Sequence, residues 1–299
     1  MTGNGGIAFI LNAHAGRSPA REALADHLPA MRRLAGDSQI AWIDDGAQIA
    51  AAVDRAKAAG CRIVVAGGGD GTISSVAGSL VGSGIGLGVL PLGTLNHFAK
   101  DLGVPLALDA ALDTIAAGHM VDIDVAEVNG RFFLNNSSLG LYPTIVRERE
   151  MQQSRLGRGK WPAFARATLS AMRRHPFLKV RLTLDSRTEE YRTAFVFVGN
   201  NEYGVEGLET GARAALDGGM LSVWVAKRPG RWPLVKMAFH ALIGKLNQAR
   251  DFHATLARDV LIETHHRRMR VSTDGEVRMT DMPLAYRIRP KALRVVVPK

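Results

Sequence analysis

The stretch that most constrains the fold is a short apolar run that leads directly into a glycine-rich segment. Residues 62–66 have the β-branched, apolar character of a buried strand, and helical spacing returns at residues 73–80. Between them stand Gly67, Gly68, Gly69, Asp70, Gly71 and Thr72. Glycines let backbone N–H groups approach an anion closely, and the following helix adds the positive end of its dipole. This order predicts a phosphate cradle at the carboxyl end of a parallel strand, with a tight structural turn as the alternative.

The rest of the first third repeats the alternation of strands and helices. Residues 7–11, 40–43 and 87–90 are short apolar runs, and residues 21–34 and 47–59 have helical spacing. Continuous apolar strands between amphipathic helices predict a parallel sheet covered on both faces. A second strand-end loop covers residues 91–100, where Thr94 and Asn96 can hydrogen-bond a phosphate or a base. Alone, this loop is equally consistent with an ordinary turn and helix N-cap.

The pattern changes near residue 121 to pieces that alternate or carry β-branched residues, with turns such as Asn129-Gly130. The expected fold is an α/β nucleotide-binding domain at residues 1–124 and a mainly antiparallel β-sandwich domain at residues 125–283. Residues 284–299 are a candidate to pack back onto the first domain. Two helical insertions are expected in the second domain, at about residues 159–174 and 232–250.

Composition limits the partners. The 299-residue chain has a net charge of +10, which suits nucleic acid, an anionic membrane surface or a phosphorylated substrate. Basic and aromatic residues alternate at 147–181 and 227–245, as they do in helices that bind anionic bilayers, although solvated basic faces are the alternative. No recognised nucleic-acid module accompanies the charge, so we expect no nucleic-acid partner.

Compartment follows from cysteine usage and hydropathy. Cys61 is the only cysteine, so an intramolecular disulfide is excluded and a reducing cytoplasm fits. The N-terminus lacks the features of a signal peptide, and no apolar run is long enough to span a bilayer. We therefore expect a cytoplasmic protein whose membrane contact is peripheral. Sheet edges in the β domain would permit a homodimer.

Taken together, the two loops resemble the diacylglycerol kinase catalytic domain, which bacterial lipid kinases share with sphingosine and ceramide kinases and, distantly, with NAD kinases. Further blocks resemble that family in the same order along most of the chain. They lie at residues 12–16, 122–124, 135–140, 200–207, 217–221 and 274–276.

The resemblance implies an ATP-dependent lipid kinase that uses Mg²⁺ and acts on a diacylglycerol-like or sphingoid lipid. It places ATP between the two domains, with Glu276 as the general base and Asp70 assisting it or binding the metal. The implied metal ligands are Asp70, Asp124 and Asp217. The expected nucleotide-binding residues are Asn12, Gly16, Gly67, Gly68, Gly69, Asp70, Gly71, Thr72, Thr94 and Asn96.

Two departures from the family pattern keep other functions open. His97 stands where the family usually has an aspartate, and Ser74-Ser75 stand where it usually has Asn-Glu. Histidine is a poorer Mg²⁺ ligand than an oxygen group. The alternatives are therefore a kinase for a soluble substrate, resembling NAD kinase, and a non-catalytic regulator that binds nucleotide or lipid.

Overall fold

The computed structural model describes residues 6–16, 20–140, 177–203, 213, 215–226 and 252–299. The chain divides into two compact units. The first comprises Met1–Val125, Leu216–Gly218 and Arg289–Lys299, and the second comprises Ala126–Ala215 and Gly219–Ile288. The expected helical insertions at residues 159–174 and 232–250 lie outside the described residues.

The first unit is built on a parallel sheet. Its strands are β1 (Ile7–Asn12), β2 (Ile40–Ile43), β3 (Ile63–Gly68) and β4 (Gly86–Pro91), in the order β2-β1-β3-β4. Every residue of β3 and β4 is buried, which explains why both strands are continuously apolar or small. Arg294 and Val295 near the C-terminus extend the sheet by pairing in parallel with Gly86 and Leu87.

Helices connect these strands. They are α1 (Ala20–Ala23), α2 (Leu28–Ala35), α3 (Ile49–Ala58), α4 (Asp70–Leu80), α5 (His97–Asp101) and α6 (Leu108–Ala117). Helix α3 packs against α4, and α2 packs against α6. The single helix expected at residues 21–34 is wrong, because α1 ends at Ala23 and a 3₁₀ turn precedes α2. Pro29 lies in the first turn of α2, where its missing N–H costs nothing, so the helix restarts there.

The second unit is antiparallel. Its described strands are β5 (Met120–Val128), β6 (Arg131–Phe133), β7 (Asn136–Gly140), β8 (Leu178–Leu184), β9 (Arg187–Thr193), β10 (Phe195–Asn200), β11 (Leu221–Ala226), β12 (Phe252–Ala257), β13 (Asp259–Thr264), β14 (Arg268–Thr273), β15 (Glu276–Asp281) and β16 (Leu284–Val296). Strands β5 and β16 each run from one unit into the other.

Two layers share one core in this unit. One layer has the order β12-β11-β10-β7-β14-β15, and the other joins β9, β8, β13 and the first half of β16. Phe133, Leu139, Leu182, Val196 and Tyr286 belong to the hydrophobic cluster that both layers bury. The predicted fold class, a parallel α/β domain followed by an antiparallel β-sandwich, is therefore confirmed.

Candidate functional site

The loop between β3 and α4 is shorter than the run of glycines in the sequence suggests. Gly67 and Gly68 are the last residues of β3, and Asp70 is the first of α4, so Gly69 alone connects them. The expectation that helix begins at residue 73 is wrong by three residues, since the amide of Ile73 already donates to the carbonyl of Gly69 at 3.1 Å. The N–H groups of the first helical turn lack partners within the helix and carry its positive dipole end. They therefore stand directly at the carboxyl edge of the sheet.

Close packing explains why small residues are required here. A Cβ added to Gly68 would lie 2.5 Å from the Cβ of Thr72, and one added to Gly67 would collide with Cδ2 of Leu11. A Cβ on Gly93 would lie 2.6 Å from the Cα of Gly69. The amide of Leu92 also donates to the carbonyl of Gly68 at 3.1 Å. The loops that follow β3 and β4 are thus packed backbone against backbone.

The loop after β4 is closed by Asn96. This buried residue has left-handed backbone angles, φ 50° and ψ 46°. Its Oδ1 accepts from the amide of Gly93 at 2.9 Å, and its Nδ2 donates to the carbonyl of Gly93 at 2.9 Å. Thr94 lies exposed at the tip of the loop. Binding of nucleotide by Asn96 stays a prediction, while its amide has a clear structural role.

Two side-chain contacts tie the neighbouring segments to α4. Oδ1 of Asp70 accepts from the amide of Phe98 in α5 at 3.1 Å, which joins the glycine segment to the second loop next to His97. Nδ2 of Asn12, at the end of β1, donates to Oγ1 of Thr72 at 3.0 Å. Asn12, Asp70 and Thr72 are therefore gathered at the carboxyl edge. Gly16, exposed and with φ 89°, lies on the loop that follows β1.

Asp124 and Asp217 belong to the same unit. Asp124 is 1% exposed, and its Oδ1 accepts from the amide of Lys291 at 2.8 Å. Its own amide donates to the carbonyl of Leu216 at 2.8 Å, next to the exposed Asp217. Asp124 thus ties two later chain segments to β5.

The expected metal ligands do not form a resident metal centre. Within the described ranges, no group of three or more histidine, cysteine, aspartate and glutamate side chains is arranged to hold a metal ion. The carboxylate of Asp70 already binds an amide, and that of Asp124 does as well. Each of these two bonds uses one carboxylate oxygen, so metal binding by Asp70, Asp124 and Asp217 stays a prediction.

Glu276 lies in the second unit, as the first residue of β15. It follows a tight hairpin turn at Asp274 (φ 47°) and Gly275 (φ 84°), in which positive φ at both positions is characteristic. The Glu276 side chain is 51% exposed, and its Oε2 accepts from Nη2 of Arg278 at 2.9 Å. This arrangement leaves the carboxylate accessible and directs it along the exposed side of β15.

Sequence reasoning missed the role of Asp274. Its carboxylate accepts from the amides of Leu134, Asn135 and Asn136 at 2.8, 2.8 and 3.1 Å. These bonds fix the turn that carries Glu276 to the segment entering β7. The Asp-Gly pair in the sequence signals the turn, but nothing in it signals the partners.

A buried polar network surrounds the same segment. Arg213 donates to the carbonyls of Leu134 and Asn200 at 2.6 and 3.3 Å. The hydroxyl of Tyr203 donates to the carbonyl of Asn135 at 2.9 Å. The sequence block at residues 135–140 and the start of the block at 200–207 therefore meet in this unit, while residues 204–207 lie outside the described residues.

The fold and its strand-end loops define a class. A parallel α/β unit with paired glycine loops at its carboxyl edge, accompanied by an antiparallel β unit, is the architecture of diacylglycerol-kinase-like proteins. The crystal structure of a diacylglycerol kinase from Bacillus anthracis str. Sterne matches it with a TM-score of 0.69 at 22% identity, covering 98% of this chain and 97% of the other. Two further solved chains from that organism give TM-scores of 0.73 and 0.75 at 24% identity.

Family models identify the chain more closely. The diacylglycerol kinase catalytic domain model matches residues 6–128, and the model of the YegS C-terminal NAD kinase β-sandwich-like domain matches residues 144–297. The chain therefore belongs to the family that these two models describe, and the resemblance seen in the sequence is confirmed.

Named relatives support this membership over part of the chain. The chain is 46% identical over 98 residues to "Probable lipid kinase YegS" of Escherichia fergusonii and 45% identical over 98 residues to "Probable lipid kinase YegS-like" of Citrobacter koseri. Each match covers 31% of this chain and 33% of the relative, so the chain spans about a third of the length of these curated relatives.

None of the helices in the described part of the chain has the length and apolar character needed to cross a membrane.

Proposed function

We propose that this protein is an ATP-dependent lipid kinase, which transfers the γ-phosphoryl group of ATP to a hydroxyl of a diacylglycerol-like or sphingoid lipid. The observation that carries the proposal is the packing of Gly69 against Gly93 at the start of α4. Because neither glycine has a side chain, the backbones of the two loops lie uncovered beside the first-turn amides of α4. The names of the relatives support a lipid as the acceptor.

Phosphoryl transfer depends mainly on positioning and on charge stabilisation, which this edge of the sheet supplies. The amides of Asp70, Gly71 and Thr72 occupy the first turn of α4, where an anion is favoured. The side-chain amide of Asn12 donates to the hydroxyl of Thr72, and Asn96 closes the loop after β4 through its two hydrogen bonds to Gly93. The cradle is therefore assembled before a nucleotide arrives, which reduces the ordering cost of binding. Gly16 and Thr94 are proposed as further nucleotide contacts.

Asp70 has a positioning role that can be read directly from its contact with the amide of Phe98. Mg²⁺ in nucleotide sites commonly uses one or two carboxylates together with phosphates and waters. We therefore propose that Mg²⁺ enters with the nucleotide rather than occupying a resident centre, and that its protein ligands come from Asp70, Asp124 and Asp217.

We propose Glu276 as the general base. It would accept the proton of the lipid hydroxyl as that oxygen attacks the γ-phosphorus and the bond to the leaving ADP oxygen breaks. Support comes from the Asp-Gly-Glu block of the family resemblance and from the accessible carboxylate that Arg278 holds in place. A base must reach its proton within hydrogen-bond distance, which makes such accessibility necessary.

The test is a radiometric assay with γ-labelled ATP, Mg²⁺ and mixed micelles that contain diacylglycerol, ceramide or a sphingoid base. Wild type should give a labelled lipid, whereas Asp70→Asn and Glu276→Gln should lose most of the activity. Asp281→Asn is the matched control for Glu276→Gln, because Asp281 lies on the same strand, is exposed and also pairs with an arginine, Arg268. Absence of a labelled lipid from wild type, or full activity of Glu276→Gln, would refute the proposal.

Two further arms address the alternatives. Phosphorylation of NAD without lipid would favour a kinase for a soluble substrate. Nucleotide binding without turnover on any hydroxyl would favour a regulator, and gain of turnover by His97→Asp would attribute the defect to that position. Peripheral attachment to an anionic membrane and a cytoplasmic location form part of the proposal, and the homodimer stays a prediction.

A further inference from the structure

The outer face of β13, β8 and β9 in the second unit carries charges in rows across the strands. In one row, Arg181 of β8 is paired in register with Glu263 on one side and with Glu190 on the other. Arg181 forms an ion pair with Glu190 at 3.1 Å. This row is therefore an alternation of acid, base and acid, in which each charge faces an opposite one.

The adjacent row is not balanced. Lys179 of β8 lies directly opposite Arg192 of β9 in the antiparallel register, and both side chains are exposed. In the described part of the chain, neither cation forms an ion pair with a carboxylate. Like charges in directly opposed positions destabilise a strand pair. An anion bound between the two cations would remove this repulsion.

Both rows line one open groove of about 570 Å³, which is large enough for a phosphate headgroup. The exposed His265, which follows β13, adds an imidazole on that side of the groove. At its other side the guanidinium of Arg192 lies 5.6 Å from the ring centroid of Phe177. The groove therefore combines two neighbouring cations, an imidazole and an aromatic ring at its margin.

The chain that leads into β8 favours a membrane as the source of this anion. Residues 147–176 contain many more basic than acidic residues, together with Trp161 and Phe164, and they lead directly into Phe177. Clustered basic and aromatic residues suit the headgroup region of an anionic bilayer. A soluble phosphate would need no such basic, aromatic segment leading to its site.

We propose that Lys179 and Arg192, assisted by His265, bind the phosphate of an anionic phospholipid headgroup and dock the second unit on the membrane surface. The inference rests on the proposed function only in its choice of a lipid as the occupant. This headgroup is a docking ligand and is distinct from the hydroxyl lipid that would be phosphorylated.

The experiment is co-sedimentation of the full chain with phosphatidylcholine vesicles, with and without phosphatidylglycerol, in the absence of ATP. Lys179→Gln/Arg192→Gln should weaken binding to the anionic vesicles about thirtyfold, from two basic contacts of about 1 kcal/mol each. The matched control is Arg187→Gln/Arg258→Gln, which removes the same charge from exposed positions in the same unit. Lys179→Arg should retain most of the binding, because it keeps the cation.

Equal weakening by the two double variants would overturn the proposal, because it would show diffuse attraction in place of a site. Unchanged vesicle binding by Lys179→Gln/Arg192→Gln, together with binding of inorganic phosphate or glycerol 3-phosphate that this variant loses, would also overturn it and indicate a soluble ligand. Circular dichroism and thermal unfolding of each variant should match wild type. Since the assay needs no turnover, vesicle binding in a protein without kinase activity would refute the proposed function alone.

Discussion

The contact between the two glycine loops gives the sharpest test of the structure. A methyl group on Gly93 would stand 2.6 Å from the Cα of Gly69 and 2.7 Å from Oδ1 of Asn96. The first of these neighbours is backbone and cannot rotate away, and the second is held by its two bonds to Gly93. Gly93→Ala must therefore separate the loops or break the closure by Asn96.

The magnitude follows from the chemistry of these contacts. Overpacking of a close-packed site costs about 1–3 kcal/mol. Loss of the two hydrogen bonds of Asn96 would add roughly 1 kcal/mol each. We expect Gly93→Ala to lower the free energy of unfolding by about 2–4 kcal/mol, since relaxation will relieve one of the two terms in part.

Gly69→Ala is the matched control, because it adds the same methyl group to the other side of the same contact. Its Cβ would meet the Cα of Gly93 at 3.5 Å, an ordinary van der Waals distance, and its φ of −86° suits alanine. We expect a change in the free energy of unfolding of less than about 1 kcal/mol for this variant.

The assay is urea unfolding followed by circular dichroism, with the free energy taken from the midpoint and slope. Equal destabilisation by the two variants would refute the packing described for Gly69 and Gly93. Calorimetric titration with a non-hydrolysable ATP analogue then separates stability from binding. If the cradle is the nucleotide site, Gly93→Ala should weaken binding even at a temperature where it is fully folded.

Three further predictions concern single side chains. Asn96→Gly should lower the free energy of unfolding by about 1–2 kcal/mol through lost hydrogen bonds. Asn96→Ala should cost about 1 kcal/mol more, because alanine, unlike glycine, is strained at φ 50°. Equal costs of the two variants in urea unfolding would contradict this prediction. Asp274→Ala should lower the free energy of unfolding by about 3 kcal/mol or more, since three amides lose a charged acceptor. Asp274→Asn should lower it less. Hydrogen exchange should show reduced protection of the amides at residues 134–136. Burial raises the pKa of Tyr286 well above its usual range, although the hydrogen bond with Ser137 opposes this shift. The stability that the neutral, buried Tyr286 contributes is therefore complete below about pH 10 and declines as the pH rises further. Tyr286→Phe should flatten the loss of stability seen in urea unfolding above about pH 10, and an unchanged slope would contradict the assignment.

Much of the fold was visible in the sequence, because the determining patterns are local. Buried parallel strands are continuously apolar, so β1, β3 and β4 could be found from composition alone. The Asn129-Gly130 and Asp274-Gly275 pairs mark turns, because few residues adopt positive φ. Family membership also followed from the order of short motifs.

The sequence was less informative where a single residue interrupts a longer pattern and where a strand is exposed. The helix at residues 21–34 was expected from its spacing, but Pro29 fixes the start of α2 and divides the segment. The charged strand β9 carries little apolar signal, since it lies at the edge of its layer and is mostly exposed.

The opening glycine-rich segment shows what tertiary structure alone decided. The sequence determined that a strand would end in residues without bulky side chains and that a helix would follow. It could not determine that Gly69 would pack against Gly93, or that Asp70 would bind the amide of Phe98. Asp274 likewise finds its partners about 140 residues away along the chain. Such contacts depend on which strands become neighbours and in which register, and this is set by burial of the whole core rather than by any local pattern.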